Sequence, residues 1–376
     1  MIISINNVAE STAIFLGLFI IAVILSIRKK TSTNFFSTAI TAELKGLAIL
    51  MVVFSHISYF LVTDNRFLYP LGTMAGVGVN LFLLLSGFGL AVSAMLKPLR
   101  PGQFYLKRLL KLYTPLWLFL AIIFLADYFF LNLHYGSGYI LRSFFGLFPR
   151  ADLYTDVNSP LWYFGFTVLY YLAFPLIFWR KFPWLSAILL YLGGYWFINA
   201  SPSYFSEVLR LYEVHIIAFP LGVFIGSYWS EIKLLKIRNH LRSVIADSIY
   251  KLLLILIFGV LSSAFYYAWL NPGIGVSPQS EQYMSIVATL ALLGIFILKP
   301  FDIKLFYFFG LYSFEVYLWH WPLLYRYDYV YKILPAWLAT ILYLILFLVI
   351  GFIFRTILAK IEFIISEIKR KNAAVA

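Results

Sequence analysis

The residues of this chain that could do chemistry are ionisable groups set inside apolar stretches, and the first of them lies in Glu43–His56 (ELKGLAILMVVFSH). Lys45 and His56 are eleven residues apart, so on a helix the imidazole lies roughly 16 Å beyond the lysine. If Lys45 stands where the helix leaves water, His56 is near the middle of a bilayer. An ionisable side chain at that depth is costly, and its default reading is a functional group facing the protein interior. A neutral imidazole is less costly there than an ammonium, because it needs only one donor and one acceptor satisfied. It offers a general base or a nucleophile. The plainer alternative is a hydrogen bond from helix to helix.

Phe306–Tyr325 (FYFFGLYSFEVYLWHWPLLY) holds a carboxyl, Glu315, and a second imidazole, His320. By the same rise Glu315 comes near mid-membrane, where a carboxyl without a role is unusual. Glu315 and His320 are five residues apart and diverge around the helix. Glu315 could orient the His56 imidazole or stabilise its cation; His320 reads as an interfacial hydrogen-bonding group or a substrate contact. In Gly76–Leu90 (GVGVNLFLLLSGFGL) the polar residues are Asn80 and Ser86. The glycines there, Gly76, Gly78, Gly87 and Gly89, have two readings: close helix packing, or room for a thin ligand along the helix. Asn158–Tyr163 (NSPLWY) puts Pro160 at a helix start and Trp162 and Tyr163 at an interface.

These residues must be carried by membrane spans. The 376 residues are 62% hydrophobic and 12% charged, with mean hydropathy +0.89, whereas soluble domains have about 45–50% apolar and 25% charged residues. The composition predicts an all-α polytopic membrane protein, since open strands cannot span lipid and no period-two alternation marks a barrel. Spans are expected at about 11–27, 44–62, 70–96, 112–133, 159–179, 184–200, 210–230, 250–270, 283–298, 303–324 and 334–355, giving 10–11 transmembrane helices. The first reads as a retained helix, with no cleavage site after it. Each span reads as one helix, and no internal repeat or interrupted helix is evident.

The net charge of +13 is read through its distribution. With the N-terminus outside and the C-terminus cytoplasmic, all but six of the 29 Lys and Arg fall on the cytoplasmic side, as the positive-inside rule requires. The exceptions are Arg66, Arg142, Arg150, Arg210, Arg326 and Lys332. Most of the charge is therefore topological, touching anionic lipid, and no nucleic-acid partner is expected. The run Lys97–Lys111 is dense enough to hold a multiply phosphorylated ligand as well. The loop from His134 to Asn158 suits either a polar acceptor or a plain connection. There is no cysteine, hence no thiolate nucleophile, disulfide or cysteine metal site.

In this order the motifs resemble those of the integral membrane acyltransferase family 3 proteins, which O-acetylate surface sugars in bacteria. Lys45 with His56 resembles the family's Arg-x10-His signature, and Gly78–Phe88 its small-residue helix. Lys107–Pro115, Ser159–Tyr163 and Leu311–Leu324 are similar to its later landmarks. Two departures stand out: Lys45 replaces a planar guanidinium, and Thr167 stands where many members carry Glu.

The resemblance implies a multi-pass protein of the bacterial cytoplasmic membrane, in the stand-alone form without a fused esterase-like domain. Residues 1–41 would be an added helix and linker, 42–358 the acyltransferase domain and 359–376 a short basic tail. The donor would be acetyl-CoA or another short acyl-CoA, held by Lys45, Lys107, Arg108 and Lys111; the acceptor would be a hydroxyl of a surface polysaccharide or lipid-linked glycan. His56, Glu315 and Ser86 would be catalytic, and Trp162, Tyr163, Tyr317 and His320 would meet the acceptor. No metal is expected. A competing reading is a transporter or exporter of a polysaccharide or small solute, using His and Glu as a proton relay; paired repeats and broken helices would mark it.

Overall fold

The computed structural model describes residues 5, 7–32, 34–62, 64 and 66–375. The chain runs α1 (Val8–Leu25), α2 (Thr38–Ser55), α3 (Ala75–Leu96), α4 (Pro101–Leu131), α5 (Ser137–Phe144), α6 (Trp162–Ile177), α7 (Pro183–Asn199), α8 (Leu209–His215) and α9 (Ala218–Tyr228). It continues through α10 (Glu231–Val244), α11 (Asp247–Leu270), α12 (Pro278–Leu298), α13 (Lys304–Leu311), α14 (Ser313–Tyr325) and α15 (Ala336–Val375). Among the described residues nine helical spans are long and apolar enough to cross a membrane. Two more segments, α7 with 17 residues and the pair α13–α14, fill the remaining expected positions. The chain is an all-α polytopic membrane protein.

Local sequence sets the helix starts. Ser37 caps α2 by accepting from the Ile40 amide at 3.2 Å, and Ser277 caps α12 through Ser280 at 3.1 Å. Proline opens α4, α7 and α12, where its missing N–H costs nothing.

Three spans expected to be continuous are not. The helix of α2 widens into a π turn over His56–Leu61, a distortion often found at functional positions. The 210–230 span breaks at Ile216–Ile217, between α8 and α9. The 303–324 span breaks at Tyr312, whose φ of −110° and ψ of 16° leave the helical region; the Ser313 hydroxyl donates back to the Gly310 carbonyl across the break. Glu315 thus lies in the first turn of α14. A small antiparallel ribbon pairs β1 (Ile27–Lys29) with β2 (Phe301–Ile303), and α15 carries the helix through the expected tail.

α2 is the most enclosed span and α11 the least, sitting at the rim beside α12. α2 packs on α3 and α13, and α3 on α9, through glycines. A Cβ at Gly46 would strike the Phe306 carbonyl, at Gly87 that of Phe219, and at Gly222 that of Leu84. Close backbone approach of this kind replaces the hydrophobic drive that lipid removes.

Contacts between distant loops gather at two ends. At the first, Lys30 donates to the Lys299 carbonyl, the Phe35 and Phe36 amides donate to the Glu231 carboxylate, and buried Lys299 pairs with buried Glu43. At the second, the Leu68 amide donates to Thr12 and the Trp269 indole to the Pro70 carbonyl; Arg326 binds Asp127 and the Val157 carbonyl. Arg326 also donates to Tyr135 at 2.6 Å, and Arg150 pairs with Asp156 at 2.9 Å. Much of the polarity of the 134–158 loop is therefore spent within the protein. At its tip Asp152 accepts from the Tyr154 and Thr155 amides, which hold its pKa below the usual carboxylate value.

Candidate active site

His56 stands where α2 gives way to the π turn. Its Nδ1 is 2.7 Å from His320 Nε2, and the two rings are nearly coplanar, with 5.0 Å between centroids and 4° between planes. His320 is fully buried, and its own Nδ1 lies 2.9 Å from the Tyr317 carbonyl and 3.1 Å from that of Val316. Carbonyls only accept, so His320 carries its proton on Nδ1 and offers Nε2 as an acceptor. His56 then donates through Nδ1, which puts the lone pair of its neutral ring on Nε2. The Trp321 ring meets the His56 ring edge-on at 5.2 Å.

The structure therefore gives His56 a different orienting partner from the one expected of Glu315. Glu315 is buried in the first turn of α14, beside Gly351 of α15, with Arg355 and Lys111 as its charged neighbours. Among the described residues its carboxyl makes no hydrogen bond to His56. The five-residue spacing is the reason: His320 turns toward α2 while Glu315 turns toward α15.

Two neighbouring cavities share lining residues, and His56 lines the second of them. One, of about 230 Å³, is lined by Lys45, Arg108 and Lys111 with Ser86, Thr167 and aromatic side chains, and no acidic residue faces it among the described residues. Ser86 thus belongs to the basic cavity and not to the one holding His56. Lys107 points to a neighbouring cavity of about 180 Å³ with Lys97 and Arg100, and Arg108 lines both. Lys107 and Lys111, one turn apart, extend one cationic track from the loop into the protein. Such a track suits phosphates.

The second cavity, of about 200 Å³, is lined by His56, Ser55, Gly76, Trp162, His215 and Glu281 among others. Phe82, Tyr163 and Tyr317 line both cavities and so form the wall between them. Tyr163 meets Tyr317 edge-on at 5.6 Å and lies 6.2 Å from Phe82; the Tyr317 hydroxyl donates to the Pro160 carbonyl at 2.8 Å. The turn at Ser159–Leu161 thus anchors the partition. Of the expected acceptor contacts, Trp162 faces the His56 cavity, Tyr163 and Tyr317 sit in the wall, and His320 stands behind His56.

The glycines of α3 divide between their two readings. Gly78 and Gly87 are packing positions against Ala48 and Phe219, Gly76 lines the cavity, and Gly89 has open space beside it.

Sequence reasoning missed His215. It ends α8 at the Ile216–Ile217 break and is 4% exposed, with Nδ1 2.8 Å from Asn80 Oδ1. Asn80 Nδ2 in turn donates to Ser285 Oγ at 2.9 Å. The signal available was a histidine six residues inside an expected span.

A family model described as an acyltransferase domain, that of acyltransferase family 3, matches residues 44–356. No curated protein matches the chain, and no solved structure does. The matched region takes in His56, His320, both cavities and their dividing wall, while α1 lies before it. The chain is a membrane-embedded member of acyltransferase family 3.

Proposed function

We propose that the protein is an O-acyltransferase that takes a short acyl group, acetyl in the simplest case, from acyl-CoA at its basic end. The acceptor is a hydroxyl of an envelope polysaccharide sugar, or of its lipid-linked precursor, reaching the His56 cavity from the other end. The observation that carries this reading is the pair of cavities back to back: one lined by cations, the other holding a base, with Phe82, Tyr163 and Tyr317 between. Lys45, Arg108 and Lys111 would hold the phosphates, and the pantetheine arm would reach the aromatic wall. His56 Nε2 takes the proton of the acceptor hydroxyl as its oxygen bonds to the thioester carbonyl carbon. The C–S bond then breaks, and the imidazolium returns its proton to the departing thiolate. His320 Nε2 accepts from His56 Nδ1–H throughout and steadies the cation, the part a carboxylate plays in a Ser-His-Asp triad. The same lone pair could attack the thioester first and carry the acyl group itself. Trapped label on the protein without acceptor separates the two routes. A wall of aromatic rings keeps water from the thioester until the acceptor is seated.

The expected setting is a bacterial cytoplasmic membrane with the basic end in the cytoplasm. The breaks at Ile216–Ile217 and Tyr312 also suit a transporter, whose discontinuous helices bind solutes near mid-membrane. The family membership favours acyl transfer, and the two are separated by experiment. In proteoliposomes given labelled acetyl-CoA and glycan, the wild-type protein is expected to form ester-linked label on sugar. His56→Ala should lower that rate by about 10²-fold or more. Full activity in His56→Ala would remove His56 from the chemistry, and glycan movement without acylation would favour transport.

A further inference from the structure

We infer that His215 is a second recognition imidazole of the His56 cavity, binding a hydroxyl of the acceptor other than the one that reacts. The inference rests on the acyltransferase reading and names the acceptor class: a polyol presenting two neighbouring hydroxyls, as a sugar does.

A chain of hydrogen bonds fixes the His215 tautomer. The Ser285 hydroxyl donates to the Gln282 carbonyl at 3.1 Å, so its oxygen accepts from Asn80 Nδ2. The Asn80 oxygen therefore faces His215, and an amide oxygen can only accept. The His215 proton is held on Nδ1, and Nε2 keeps its lone pair. No other hydrogen bond of His215 is found among the described residues.

The ring is also held sterically. The Trp162 ring stacks on it at 5.7 Å and 17°. Gly76, which also lines the cavity, lies beside Cε1, the carbon between the two ring nitrogens, where a Cβ would stand 3.6 Å away. Asn80 and Ser285 are buried, and His215 lines the same cavity as His56. A buried polar chain among apolar helices is costly unless each member is satisfied. Here His215 Nδ1, both polar atoms of the Asn80 side chain and the Ser285 hydroxyl each have a partner, and Nε2, on a ring that lines the cavity, has none among the described residues. An acceptor hydroxyl donating to it completes the chain and turns the sugar so that its neighbour reaches His56 Nε2.

The alternative role is structural, a polar tie between α3, α8 and α12. A cycle of substrate and protein changes distinguishes the two. Methyl glycosides of glucose, galactose, mannose and N-acetylglucosamine are tested as acceptors with labelled acetyl-CoA. The monodeoxy derivatives of whichever is acylated are then compared in wild type and His215→Ala. In wild type, one deoxy derivative should raise the acceptor KM by about tenfold or more, because Nε2 is left unpaired. In His215→Ala the parent glycoside should show that raised KM and the deoxy derivative no further rise, with the acetyl-CoA KM unchanged. His215→Phe keeps a ring on Trp162 and serves if His215→Ala does not fold. An equal deoxy penalty in wild type and variant overturns the inference while leaving acyl transfer standing. Wild-type transfer to the envelope glycan but to none of these glycosides overturns the inference alone, and transfer to neither overturns both.

Discussion

His56 owes its proposed reactivity to a proton arrangement rather than to a charge. Two carbonyls one turn below His320 force its proton to Nδ1, His320 then accepts from His56, and the lone pair of His56 falls on Nε2. If this relay matters, His320→Leu should cut kcat by roughly 10²-fold with little change in the acetyl-CoA KM, whereas Glu315→Gln should cost less than tenfold. Steady-state kinetics in proteoliposomes measure both, and the reverse order would return the orienting role to Glu315. The sequence made His56 legible as an ionisable group inside a long apolar run, although α2 begins at Thr38, so Lys45 stands two turns inside the helix and not at its start. It did not make the partner legible: His56 and His320 are 264 residues apart, and nothing in either segment encodes their meeting. The divergence of Glu315 from His320 was readable in their spacing, and it is the histidine that meets His56.

At the scale of elements, the spans were legible because lipid demands long apolar runs, and the expected positions match to within a few residues at most ends. The interruptions were only half legible. Pro220, in the first turn of α9, has no N–H for the Ile216 carbonyl four residues back and so marks the first break, while Tyr312 is neither glycine nor proline and only Gly310 lies just ahead of the second. The two breaks decide where His215 and Glu315 lie, at the end of α8 and in the first turn of α14. Helix packing itself rests on backbone approach at glycine. Gly222→Val would press a side chain into the Leu84 carbonyl of α3, a backbone atom that cannot step aside. Overpacking of this kind costs about 1–3 kcal/mol. Thermal unfolding of the detergent-solubilised protein should show a clear drop for Gly222→Val and little change for Gly89→Ala, which meets nothing within 4 Å. Equal stability of the two would mean that α3 and α9 are not locked together through their backbones.

For the whole molecule, the decisive feature is its division into a cationic cavity and a histidine cavity. Only half of this was foreseeable. Charge distribution separated a basic side from a sparse one, and the run from Lys97 to Lys111 marked the cationic track. That Lys107 and Lys111 would part into neighbouring cavities, and that Phe82, Tyr163 and Tyr317 would stand between the basic cavity and that of His56, depends on three helices converging from distant parts of the chain. In the proposed reaction an acyl group enters at one end and leaves on a sugar at the other, past His56. It is tested most directly in sealed proteoliposomes of known orientation, with labelled acetyl-CoA on one side and glycan on the other. Labelled glycan should form only when acetyl-CoA faces the basic end, and should be lost in His56→Ala. Transfer from either side alike, or undiminished transfer in His56→Ala, would contradict it.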